Sequence, residues 1–145
     1  MSRILMAVAA LAAASCALAI GWAARADPGA GSRASATQSL LEGVYTPEQA
    51  ERGSRLYRTH CAECHQPDEY KGYLRRWVGL PVSFFYEIVS STMPQNNPGS
   101  LDRDEYVDVL TFIFSINDAP TGDAELASDV AALDAVTIAV PTGSE

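Results

Sequence analysis

Basic residues are scarce in this chain: ten lysines and arginines face eighteen aspartates and glutamates, Lys71 is the single lysine, and the formal net charge is −8. Such a balance excludes a phosphate-tracking surface and with it sequence-independent binding of nucleic acid. Any partner must tolerate an acidic protein. Length is limited as well: 145 residues leave room for one ordinary domain, not for an enzyme with separate cofactor and substrate halves. Histidine occurs twice and cysteine three times, so thiol and imidazole chemistry has few places to reside. Strand patterning is sparse and no internal repeat is evident.

Charge is missing altogether from one stretch. Arg3 precedes 21 uncharged residues, Ile4 to Ala24, and Ala24-Arg25-Ala26 follows before Asp27. A basic start, an apolar run and a small-residue cleavage site describe a secretory signal peptide over residues 1–26. An uncleaved anchor is the other reading, because a run of this length can span a bilayer, although this one is rich in alanine and weakly apolar. Cys16 lies inside the run rather than at its end, which argues against lipidation. Export places the mature chain in the periplasm, with no stable membrane insertion after cleavage. Losing Arg3 and Arg25 leaves eight bases against eighteen acids, and Cys61, Cys64 and Met93 become the remaining sulfur side chains.

Residues 27–43 are rich in Gly, Ser and Ala with no apolar period and read as a flexible leader. A helix then opens at Thr46 as N-cap, with Pro47 in the first helical position and Gln49 completing a capping box. Ala50, Gly53, Tyr57, Cys61 and Cys64 share its inner face. Glu48/Arg52 and Glu51/Arg55 are expected to pair at i,i+4. Residues 66–83 read as loop with a short helical turn around Leu74 to Val78. Ser83 is the expected cap of a helix through Ser91 that buries Phe85, Ile88 and Val89. Thr92 to Gly99, with two prolines and a glycine, reads as a fixed irregular loop. Asp102 and Glu105 form a second capping box, and the helix they open presents Tyr106, Val109, Leu110, Ile113 and Ile116 on one face before ending near Asn117. It is apolar nearly all round from Val109, so deep burial is expected. The domain is thus all-α over residues 44–118. Residues 119–145 form an acidic extension that docks loosely through Leu126, Val130 and Leu133.

Chemistry concentrates in Cys61-Ala62-Glu63-Cys64-His65. Two thiols at i and i+3 followed directly by a histidine form the attachment pattern of c-type haem, in which both thiols make thioethers to the vinyl groups and the imidazole ligates iron. Zinc needs four ligands from separated segments, and His60, Cys61, Cys64 and His65 are too contiguous to close around one ion. A dithiol redox pair should open a helix after a strand, whereas this pair closes one. The ordered length of about 75 residues is also one at which a core of side chains alone is marginal, and a buried macrocycle would supply the missing centre. The sixth iron ligand follows by elimination. His60 diverges from His65's side and belongs at the surface, Lys71 is too close in sequence to cross the ring, and Met93 is well separated and carries a thioether suited to electron transfer.

The chain resembles the class I monohaem c-type cytochromes, especially small periplasmic ones that accompany quinoprotein alcohol dehydrogenases. Tyr45-Thr46-Pro47-Glu48-Gln49-Ala50 with Arg52-Gly53, Leu56-Tyr57, the Cys61 to His65 motif, Thr92-Met93-Pro94, Pro98-Gly99-Ser100-Leu101 and Glu105 to Leu110 carry the resemblance. It implies a cytochrome c-like fold of three to five helices around one covalently bound haem c, with the first and last helices crossing near Gly53. It further implies axial ligands at His65 and Met93, and Trp77 bonding a haem propionate. Relatives usually place Gly after the motif histidine and a longer loop before the tryptophan; here Gln66 follows and the loop is short. The carbonyl that accepts the second ring N–H of His65 is sought near Gly79 to Pro81. The implied function is single-electron transfer between redox proteins rather than enzymatic catalysis, with a quinoprotein dehydrogenase or a terminal oxidase as partner. The alternatives are a fixed electron-transfer subunit of a dehydrogenase complex, and a haem enzyme or sensor, which needs an open iron site.

Overall fold

The Thr46 hydroxyl accepts the Gln49 backbone N–H at 3.1 Å and Pro47 occupies the first turn, and from this cap α1 runs over Pro47–His60. The computed structural model describes residues 37–142; residues 1–26, read above as a signal peptide, and residues 27–36 of the expected leader lie outside the described residues. Beyond α1 come α2 (Val82–Thr92), α3 (Arg103–Ser115) and α4 (Val130–Asp134), with 3₁₀ turns at Leu40–Glu42, Pro67–Tyr70 and Tyr73–Trp77. Two short strands, β1 (Gln38–Ser39) and β2 (Val136–Thr137), pair in parallel with Gln38 opposite Val136. The described residues are mostly helical, in keeping with the all-α expectation. No helix among them is long and apolar enough to cross a membrane.

The frame is set where α1 meets α3. A Cβ placed on Gly53 would lie 1.8 Å from the Asp108 carbonyl oxygen and 3.1 Å from Phe112 Cβ, so the two backbones touch without an intervening side chain. Arg52 reinforces the contact by donating from Nε and Nη2 to the Asp108 carboxylate at 2.9 and 3.2 Å, while its Nη1 reaches Glu125 at 2.8 Å. Glu105 accepts the Asp102 N–H at 2.9 Å to start α3. Eight of the thirteen α3 residues are then buried, as the nearly continuous apolar run predicts. Tyr45, Tyr57 and Leu74 join Leu110 and Phe114 of α3 in one buried core.

Both flanking segments differ from expectation. The leader becomes ordered before residue 43: Ser39 caps the Leu40–Glu42 turn and Leu40 is fully buried. The C-terminal extension docks tightly rather than loosely. Leu126, Leu133, Val136 and Ile138 are all in the core, whereas Val130 is exposed. Gly79 donates to Ile138 and Ile138 to Leu80, at 2.9 and 2.8 Å, and Tyr45 donates its hydroxyl to the Ala119 carbonyl. Residues on both sides of 44–118 therefore contribute to the same core. Gln49 does not close a capping box. Its buried side chain instead donates to the Leu126 carbonyl at 3.0 Å and accepts the Leu126 N–H at 2.8 Å. Arg52 pairs with Asp108 and Glu125, not Glu48, because a bidentate bond to a poorly hydrated carboxylate outweighs an exposed i,i+4 pair. Glu51/Arg55 forms as expected at 2.8 Å. The α2 cap is Pro81, two residues earlier than Ser83, and the buried face is Val82, Phe85 and Tyr86 with Ile88 left exposed.

Gly53 generates a prediction with a diagnostic sign. Helix propensity alone favours Ala over Gly by about 1 kcal/mol, yet Gly53→Ala should destabilise the protein by about 3 kcal/mol through overpacking. Urea unfolding measures it, and an unchanged or raised midpoint would contradict the backbone contact.

Candidate functional site

The motif lies on the turn that closes α1. The Tyr57 carbonyl accepts the N–H groups of both Cys61 and Ala62, at 2.8 and 2.9 Å, and the Cys61 carbonyl accepts those of Cys64 and His65, at 3.1 and 2.9 Å. The chain thus wraps once more around the helix end, and Cys61, Cys64 and His65 all border one cavity of about 600 Å³. Both thiols are free. Cys61 is half-buried, and desolvation raises its pKa; Cys64 is exposed. His60 is also exposed, at the rim of the same cavity.

Two tyrosines hold His65. The Tyr57 hydroxyl donates to its carbonyl at 3.0 Å, and the Tyr70 hydroxyl lies 2.9 Å from its Nδ1. Burial raises the pKa of both phenols, so they stay un-ionised and their hydrogen bonds persist. The stretch from Gly79 to Pro81 is not the partner of this imidazole. There the Leu80 carbonyl accepts the Ile138 N–H and the Pro81 carbonyl the Phe84 N–H, so the C-terminal segment and α2 engage that backbone.

Met93 reaches the same cavity from the end of α2. Its N–H donates to the Val89 carbonyl at 2.8 Å and its carbonyl accepts the Tyr106 hydroxyl at 2.7 Å, so α2 and α3 together fix the residue. The Met93–Pro94 peptide is cis, and the irregular path expected after Thr92 follows. Phe85, Ile88, Val89, Val109 and Ile113 give the cavity apolar walls. Ile88, the residue expected in the core, is 37% exposed because its side chain borders this space.

Trp77 does not line the cavity. It packs at 4.9 Å between ring centroids on Phe85, which does, and at 6.2 Å on Tyr73. Its Nε1 is buried without a hydrogen-bond partner, unusual for a group that nearly always finds one. A second recess of about 610 Å³, bordered by Lys71, Arg75 and Asn117, brings together no thiol, imidazole or thioether. Among the described residues no three His, Cys, Asp or Glu side chains gather to hold a bare ion. The roles of Tyr70 and Tyr106 were not evident in the sequence; a phenol five residues beyond a candidate ligand is the one local hint, and the other depends on packing.

No family model matches the chain, and neither a curated protein nor a solved structure matches it. The site therefore stands on its own geometry.

Tyr106→Phe keeps the ring and removes the bond to Met93. It should lower stability by about 1 kcal/mol, and the Met93 and Asn97 amides should exchange several-fold faster. Unchanged exchange would mean that Tyr106 does not hold this segment.

Proposed function

We propose that the chain is an exported monohaem c-type cytochrome with a cytochrome c-like fold, carrying single electrons between periplasmic redox proteins. The observation that carries this reading is the convergence of Cys61, Cys64, His65 and Met93 on one apolar-walled cavity. The first three are joined in a five-residue motif; the last is the single methionine after the signal segment. Haem, when bound, supplies one iron that cycles between ferric and ferrous states.

The chain's own residues divide the work. Cys61 and Cys64 would tether the macrocycle through thioether bonds, and His65 and Met93 would hold its iron. Two thiols, one imidazole and one thioether around an apolar-walled cavity would suit a haem rather than a bare metal ion. Phe85, Val109 and Ile113 exclude water, and Tyr106 holds Met93 in place. Trp77 stands outside the cavity lining, so its buried, unpartnered Nε1 lends no support to the propionate contact that the resemblance implies. With His65 and Met93 both holding the iron, no substrate would reach it, and that would favour a carrier over an enzyme or sensor. A quinoprotein dehydrogenase as donor and a terminal oxidase as acceptor are partners of the right chemistry. The acidic total makes charge matter chiefly for encounter rate.

The axial assignment has a direct test. Oxidised haem-loaded protein should show the weak long-wavelength sulfur-to-iron charge-transfer band. Met93→Ala should abolish it and lower the reduction potential by more than about 59 mV, a tenfold change in a one-electron equilibrium, because a thioether favours ferrous iron. Ready binding of carbon monoxide by the reduced native protein would instead show an open site and favour a sensor or enzyme.

A further inference from the structure

We infer that the Tyr70 hydroxyl is the group that orients His65 and sets its strength as a ligand, a role resting on the haem reading above. The hydroxyl oxygen lies 2.9 Å from His65 Nδ1, with the rings edge-to-face at 82° and 5.5 Å between centroids. Either atom can donate in the metal-free imidazole. Ligation removes that freedom: once Nε2 gives its lone pair to iron, Nδ1 carries the proton and must donate, and the phenol oxygen becomes its acceptor. A ligating histidine almost always has such a partner, which fixes its tautomer and ring orientation and raises its basicity.

Tyr70 is built to hold this position. Its ring packs edge-on against Tyr57 at 6.2 Å and tilted against Tyr73 at 5.0 Å. Its carbonyl accepts Asn117 Nδ2 at 2.8 Å, tying the 3₁₀ turn to the end of α3. The turn itself begins at Gln66, whose side chain donates to the Ala62 carbonyl and whose N–H reaches Glu69. The short segment after the motif therefore folds straight back and brings a side-chain hydroxyl beneath the imidazole, while the Leu80 and Pro81 carbonyls serve other partners. Tyr70 is a positioning residue, acting on the iron through His65.

Tyr70→Phe retains the ring packing and deletes only the acceptor. The imidazole then loses basicity, ferric iron loses more support than ferrous, and the reduction potential rises. A tenfold change in the ferric-to-ferrous equilibrium is expected, equivalent to about 59 mV for one electron. In the native ferrous protein the His65 Nδ1–H should be visible by NMR, protected from exchange and close to the Tyr70 ring protons; in the variant it should exchange faster. A haem-loaded variant with unmoved potential and exchange overturns this inference and leaves the cytochrome reading intact. An unprotected Nδ1–H in the native protein overturns it even if the variant does not fold. A native chain that takes up no haem under conditions that attach it to other c-type cytochromes overturns both.

Discussion

Gly53 and the Asp108 carbonyl meet where any larger residue would force two backbones apart, and both halves of the candidate site hang from that contact. The end of α1 carries Cys61, Cys64 and His65; α3 supplies Val109 and Ile113 to the cavity wall and Tyr106 to the Met93 carbonyl. Moving one helix against the other by the width of a methyl group would shift the motif relative to the methionine. Arg52 locks the crossing from the side, joining α1 to Asp108 in α3 and to Glu125 in the segment that follows. The mid-helix glycine, unfavourable for an isolated helix, thus has a packing reason.

Local signals were legible in the sequence and long-range partners were not. Thr46 with Pro47, and Asp102 with Glu105, act within one helical turn, so the starts of α1 and α3 were readable. The spacing of Cys61, Cys64 and His65 was equally local. Arg52 had several carboxylates within reach, and choosing Asp108 over Glu48 needed knowledge of which one the fold desolvates. Gln49 carried a capping signature but spent its amide on Leu126, seventy-seven residues away. The docking of the tail is not legible in the sequence because Leu126, Leu133, Val136 and Ile138 are buried from a largely irregular segment, which has no single period for a pattern to reveal. Its strand pairs with residues that composition alone marked as leader.

Around the candidate site, hydroxyl groups do the positioning. Tyr57 holds the His65 backbone, Tyr70 faces its ring, and Tyr106 holds the Met93 backbone. Each phenol belongs to an element different from the segment it grips or to the far side of a turn, so the grip ties the site to the fold. The cavity walls are meanwhile apolar, and the side chains that border them retain surface that a large flat ligand would cover. Tyr57 and Tyr70 themselves border the cavity beside these apolar walls, so the groups that anchor the motif lie at its edge.

The central claim is that Cys61 and Cys64 carry haem covalently. Intact mass measured under denaturing conditions, on the chain purified after expression alongside a haem-attachment system, decides it. The account predicts the mass of the chain plus one haem, surviving acid-solvent extraction and lost when both cysteines are replaced by alanine. Unmodified chain mass, with intact haem released into the solvent, would contradict it.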